Sequence, residues 1–174
     1  MYFSDSSIKR IVVTGNSPGC GKTYISHIVH KITGLPLYHL DCIFWKKEWK
    51  SVTEEEFLGL QDEIVHKGNW ILEGGYVSSL RHRATHADMV IVIQTGKWQS
   101  LWRVIKRRLK SGGMREDLPE GCKDKVDLGF LVFIIKTFHQ RHDRIMQQLT
   151  GLNIPIHIIR NEKALPYLFS GKKE

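Results

Sequence analysis

The chain has 174 residues, about the length of one domain, and its 41% hydrophobic and 25% charged content excludes a disordered tail, a collagen-like repeat and a disulfide scaffold. Its formal net charge is +8, and the excess is local: residues 97–115 hold Lys97, Arg103, Lys106, Arg107, Arg108, Lys110 and Arg115 and no acid. Such a segment implies an anionic partner, whether nucleic acid, a membrane surface or a phosphorylated small molecule. The three cysteines, Cys20, Cys42 and Cys122, have no metal-ligand spacing and suit a reducing cytoplasm. The longest apolar run, at 130–135, is far short of the ~20 residues that span a bilayer, so no membrane partner is expected.

Taken in chain order, Ile11, Val12 and Val13 mark a buried strand over 8–14. A glycine-rich turn, 15–22, follows. Ile25, Ile28, Val29 and Ile32 recur at helical spacing over 23–33, and Gly34 and Pro36 stop that helix. A short strand is expected at 37–40, ending at Asp41. Thr53-Glu54-Glu55-Glu56 is a capping box opening a helix to about residue 67. Residues 69–73 form a third strand closed by Gly74-Gly75. The unbroken apolar run 89–94 suits a parallel strand buried on both faces. A basic helix at 98–110, a polar loop at 112–125 and a long helix at 126–149 come next. A fifth strand at 156–159 and a short helix at 162–169 complete the chain. Strands alternating with helices predict an α/β fold, a doubly wound five-stranded parallel sheet in one domain.

The strongest signal is Gly15-Asn16-Ser17-Pro18-Gly19-Cys20-Gly21-Lys22-Thr23, between a strand and a helix. Glycines let backbone amides turn inward around phosphate oxygens. The helix N-terminus adds unpaired N–H groups and the positive end of a dipole. Lys22 supplies a cation for the β- and γ-phosphates, and Thr23 a hydroxyl for Mg²⁺. The pattern therefore predicts ATP with Mg²⁺. It departs from the strict Gly-x₄-Gly-Lys-Thr spacing, because Asn16 stands where the first glycine belongs. Asparagine tolerates positive φ better than other non-glycine residues, so it is expected to supply the turn.

On Ser17-Pro18-Gly19-Cys20-Gly21-Lys22 the loop resembles that of adenylate-kinase-like P-loop phosphotransferases. The chain as a whole is similar to the small P-loop proteins known as DNA topology modulation (FlaR-type) proteins. That likeness rests on the loop, Leu40-Asp41-x-x-x-Trp45, Trp70-Ile71-Leu72-Glu73-Gly74-x-Tyr76, the arginines of 103–108, Glu120-Gly121-Cys122 and Asp127-Leu128-x-Phe130-Leu131. The family name implies an effect on DNA topology, whereas the motifs imply a nucleotide-dependent phosphotransferase.

Asp41, at the carboxyl edge of the sheet, either handles an acceptor hydroxyl, holds a water on Mg²⁺, or caps the next turn. The resemblance implies a Mg²⁺-water ligand at Glu73 and an arginine-bearing lid, an excursion over about 103–145. Arg103 and Arg107 share one helix face, and with Arg115 they are the expected lid cations that neutralise transferring phosphates. Arg141 and Arg144 are weaker candidates. The usual acceptor-phosphate arginine after the third strand is missing; Arg81 and Arg83 are read as a solvated face. Trp45, Trp49, Trp98 and Trp102 are read as packing residues, and His139-x-x-His142-Asp143 as a solvated helix face. The expected partners are ATP and a small-molecule or nucleotide-like acceptor, with a nucleotide-regulated DNA-binding protein as the alternative.

Overall fold

Successive side chains of a strand point to opposite faces, and strand β1 (Arg10–Gly15) uses this fully. Ile11 and Val13 enter one hydrophobic cluster and Val12 the other. The structure, a computed structural model, describes residues 7–111, 118, 122 and 127–169. Around β1 lie β2 (Leu37–His39), β3 (Trp70–Glu73), β4 (Met89–Ile93) and β5 (Ile156–Ile159), in the order β2-β3-β1-β4-β5. Every pairing is parallel. All five residues of β4 are buried, which is why that run reads as continuously apolar.

Helices α1 (Lys22–Thr33), α2 (Leu40–Phe44), α3 (Glu54–Val65), α4 (Leu80–Thr85), α5 (Lys97–Ser111), α6 (Leu128–Leu149) and α7 (Leu165–Phe169) connect and cover the strands. Ile25 and Val29 of α1 and Leu165 and Phe169 of α7 close one face of the sheet. Phe57, Ile64, Leu80, Ile145 and Leu149, from α3, α4 and α6, close the other. Each such side chain, taken fully out of water, contributes about 1.5–3 kcal/mol. Thr53 caps α3 by accepting from the Glu56 amide at 3.1 Å, as the capping box requires.

Three sequence expectations need correction. The strand at 37–40 stops at His39, so Asp41 sits in the first turn of α2 rather than at a strand end. Helices α2 and α4, five and six residues long, are too short to show a helical period. The terminal helix is split, with a 3₁₀ turn at Glu162–Ala164 before α7. The expected polar loop at 112–125 lies outside the described residues, Leu118 and Cys122 excepted. Among the described residues no helix is long and apolar enough to cross a membrane.

At the amino edge of the sheet, Arg10 Nη2 lies 2.6 Å from Asp88 Oδ1. Asp88 also accepts from the Lys9 and Arg10 amides at 2.9 Å. Burial alone would raise the Asp88 pKa; the bonds from Arg10 and the two amides outweigh it and hold the carboxyl below its usual range. A depressed folded pKa stabilises above the unfolded value and loses that contribution as pH falls through the folded one. Asp88→Asn is therefore expected to melt below the parent chain at pH 7. The gap should close on acidification below about pH 4, which thermal melts across pH would show. A gap independent of pH would contradict the assignment.

Candidate active site

Strand β1 ends at Gly15, and the chain turns back over the C-terminal edge of the sheet before α1 begins. A Cβ on Gly15 would meet Cys20 Sγ at 2.5 Å and the Ile93 carbonyl at 2.9 Å, so only glycine fits this close approach. Gly19 and Gly21 have φ of 78° and 101°, the left-handed region that glycine enters without a steric cost. Gly21 caps α1 without a side-chain hydrogen bond, so the first amides of that 12-residue helix open toward the loop.

Asn16 differs from the expectation. Its φ is not positive. Its side chain is buried and bridges to the segment after β4 instead. Asn16 Nδ2 donates to the Thr95 carbonyl at 2.9 Å, and the Thr95 amide donates to Asn16 Oδ1 at 3.2 Å. Thr95 Oγ1 then donates to the Cys20 carbonyl at 3.0 Å. The Ser17 and Ser100 hydroxyls lie 2.7 Å apart. Thus Gly15, Asn16, Ser17 and Cys20 form a buried underside that braces the loop against the start of α5. Pro18, Gly19, Gly21, Lys22 and Thr23 line a cleft of about 1030 Å³ above it, at the upper end of small-molecule sites.

The cleft gathers cations from three elements. Lys22 Nζ donates to the Ser17 carbonyl at 3.1 Å. Arg103 Nη1 donates to the Cys20 carbonyl at 3.1 Å, and Arg107, one helical turn further, also lines the cleft. From α6 come Arg141 and Arg144. Arg141 donates to the Gly75 carbonyl. Burial lowers its pKa, while Cys20, Asp41 and Tyr76 oppose that shift. Arg115 lies outside the described residues. The expected shared face of Arg103 and Arg107 is thus present, and Arg141 occupies a more central place than its sequence position suggested.

Among the described residues, Asp41, Glu73 and Asp127 are the acids on the cleft wall. Glu73 ends β3 beside β1, paired in register with Val13, and is 5% exposed. His39, at the end of β2, places Nδ1 2.7 Å from Glu73 Oε2. A carboxylate only accepts, so the imidazole nitrogen carries the proton. Tyr76 donates its hydroxyl to Asp41 Oδ1 at 2.8 Å. Burial and the Asp41 charge push the phenol pKa far above its ordinary value, which keeps it a donor. Among the described residues no three His, Cys, Asp or Glu side chains gather as a metal cage. Thr23 and Glu73 on one cleft still suit Mg²⁺, which takes one or two protein oxygens and completes its shell with phosphates and water.

Of the two arginines read as a solvated face, Arg81 is exposed as expected and Arg83 is not. Arg83 is fully buried and donates to the carbonyls of Tyr76 and Gly74 and to Ser79 Oγ. Burial lowers its pKa and the Glu73 charge opposes that. It fixes the loop after β3 from beneath. Arg81 donates to the carbonyls of Gln148 and Thr150 at the end of α6. The tryptophans also differ from the packing role expected of them. Trp45 and Trp49 line the cleft, and Trp98 and Trp102 are 72% and 62% exposed on α5.

Trp45 and Trp49 flank a tight turn. Trp45 bridges Ser51, and the Lys46 amide donates to the Lys50 carbonyl at 2.7 Å. Within the 3₁₀ turn Lys47–Trp49, Glu48 and Trp49 have φ of 61° and 62°. These are the only positive-φ non-glycine residues among those described, and each costs roughly 1–2 kcal/mol relative to the right-handed form.

No family model matches the sequence, and no curated protein matches it. Solved structures do. Shikimate kinase from Bacteroides thetaiotaomicron aligns with a TM-score of 0.58 at 17% identity, over 94% of this chain and 99% of that one. Shikimate kinase from Acinetobacter baumannii, in complex with shikimate, gives 0.54 at 17% over 97% of each chain. A gluconokinase from Sinorhizobium meliloti 1021 gives 0.54 at 12% over 98% and 96%. The chain has the P-loop kinase fold. At these identities the likeness speaks for architecture, and the narrower resemblance to DNA topology modulation proteins gains no support from it.

Proposed function

We propose that the protein is an ATP-dependent phosphotransferase that moves the γ-phosphoryl group to a hydroxyl of a small-molecule acceptor. The observation that carries this reading is convergence. One cleft above the open start of α1 holds Lys22, Arg103, Arg107 and Arg141 together with Asp41 and Glu73. Phosphoryl transfer asks for little covalent help and much positioning and charge neutralisation, and this set supplies both.

Loop amides and Lys22 hold the phosphate chain. Thr23 and Glu73 would hold Mg²⁺, with His39 fixing the Glu73 carboxylate; the ion would supply charge neutralisation to the phosphates. Asp41, set by Tyr76, orients the acceptor hydroxyl and takes its proton. The hydroxyl oxygen bonds to the γ-phosphorus, the bond from that phosphorus to the bridging oxygen breaks, and ADP leaves. Arg103 and Arg107, with Arg115 in the same basic segment, neutralise the equatorial oxygens as a lid over about 103–145. The DNA-binding alternative drew on the same basic segment. Two of its arginines, Arg103 and Arg107, line the cleft, which supports the kinase reading.

The test is thermal shift and phosphotransfer with ATP–Mg²⁺ over a panel of hydroxyl compounds. ATP–Mg²⁺ at a hundredfold above Kd is expected to stabilise the fold by about 2.7 kcal/mol. Lys22→Met should remove both the shift and turnover. Absence of any ATP-dependent stabilisation or transfer would overturn the proposal.

A further inference from the structure

The acceptor end of the cleft carries a finer assignment, which rests on the kinase reading above. Flat apolar surface dominates there. Trp45 and Trp49 meet edge to face with centroids 5.3 Å apart. Across the same cleft, Phe130 and Phe133 of α6 lie nearly parallel, 19° between planes and 6.3 Å between centroids. Tyr76 adds a fifth ring and holds Asp41. Phe133 is 42% exposed, which core packing does not require.

The backbone gives an independent pointer. Strained dihedrals persist where the surroundings impose them, and they cluster at ligand sites. Here the two left-handed residues, Glu48 and Trp49, turn an indole into the cleft beside Trp45. Arginines that would grip an acidic acceptor are largely engaged elsewhere. Arg81 caps α6, Arg83 is sealed beneath the loop after β3, and Arg141 donates to Gly75. Arg144 is the remaining cation on that wall.

We propose that the acceptor is a nucleoside. Its planar base stacks among Trp45, Trp49 and Phe133, and a sugar hydroxyl faces Asp41. Aromatic faces stack on any base, so selectivity among bases is modest and selectivity against acceptors without an aromatic ring is large. The reaction consumes nucleoside and ATP and yields nucleoside monophosphate and ADP. The sugar oxygen gains the phosphoryl group and its proton passes to Asp41.

The experiment titrates the full chain with adenosine, guanosine, cytidine, uridine and thymidine, and with shikimate and gluconate, while following tryptophan fluorescence. Quenching by nucleosides is expected, reduced in Trp45→Phe and Trp49→Phe and retained in Trp98→Phe and Trp102→Phe. In the coupled assay Trp49→Ala should raise KM for the nucleoside by about tenfold or more and leave KM for ATP nearly unchanged. Phosphorylation of shikimate or gluconate without nucleoside binding overturns the proposal. So does quenching that survives in both Trp45→Phe and Trp49→Phe. If nucleosides quench through Trp45 and Trp49 while ATP neither binds nor reacts, the nucleoside site stands and the kinase reading falls.

Discussion

Arg103→Ala is expected to lower kcat for phosphoryl transfer by about a thousandfold, or about 4 kcal/mol of barrier, while KM for ATP shifts within about tenfold. The asymmetry follows from what the side chain does. Its Nη1 holds the Cys20 carbonyl, a single bond among several that brace the loop, so ground-state binding loses little. The residue also lines the cleft, where, on the phosphotransferase reading, charge spreads over the transferring phosphoryl at the transition state. Arg103→Lys keeps the charge and loses the planar fork, so it should recover only part of the rate. Arg107→Ala tests the same face without touching the loop bond. A double-mutant cycle between Arg103 and Arg107 should show strong coupling, since both act on one charge distribution. Equal losses in kcat and ATP affinity would reassign Arg103 to loop support. Unchanged turnover with lost DNA affinity would favour the DNA-binding reading.

Asn16→Gly should destabilise the protein and weaken ATP binding, although it creates the strict Gly-x₄-Gly-Lys-Thr spacing. The side chain satisfies both the amide and the carbonyl of Thr95 in a buried setting. Removing it strands two backbone groups at about 1–3 kcal/mol each. A total of about 2–6 kcal/mol corresponds to a fall in Tm of roughly 5–25 °C for a chain of this size. Asn16→Asp is the sharper variant. It keeps an acceptor for the Thr95 amide and sets an oxygen against the Thr95 carbonyl, so it should lose more than the missing bond. Thermal melts with and without ATP–Mg²⁺ distinguish the outcomes. An Asn16→Gly protein that melts unchanged and binds ATP more tightly would show that the bridge contributes nothing.

The same residue marks where sequence reasoning reaches its limit. The phosphate loop and the flanking strand and helix were readable because local chemistry dictates them: glycines, a lysine and a β-branched run within fifteen residues. All five strands were anticipated, since a doubly wound sheet leaves each a short apolar run between turns. What escaped is coupling across the chain. The role of Asn16 depends on Thr95, 79 residues away, and Ser17 meets Ser100 across 83. His39 reaches Glu73 across 34 residues, and no pattern in its own neighbourhood announces it. Arg83 read as a surface charge because its burial depends on how the loop after β3 folds over it. Trp45 and Trp49 read as packing residues because an aromatic facing a cleft and one facing a core have the same sequence signature. For Trp49 the available cue was weak: a Lys-Glu-Trp-Lys turn without glycine or asparagine gives no sign of left-handed dihedrals.

Helix α6 is held very unevenly along its length. Near its end, Ile145 and Leu149 are buried in the main core and Arg81 ties down the carbonyls of Gln148 and Thr150. Toward its start only Ile134 is buried, in a small cluster with α5. The helix is thus a cantilever, anchored in the part of the molecule that must not change. Its outer half, which carries Phe130 and Phe133, lines the cleft and packs in that small cluster rather than in the main core. Substitutions there can reshape the cleft wall at small cost to folding, whereas the same changes at the anchored end would unsettle the sheet. In evolutionary terms the fold separates what it needs to persist from what it needs to vary, and one helix spans the boundary.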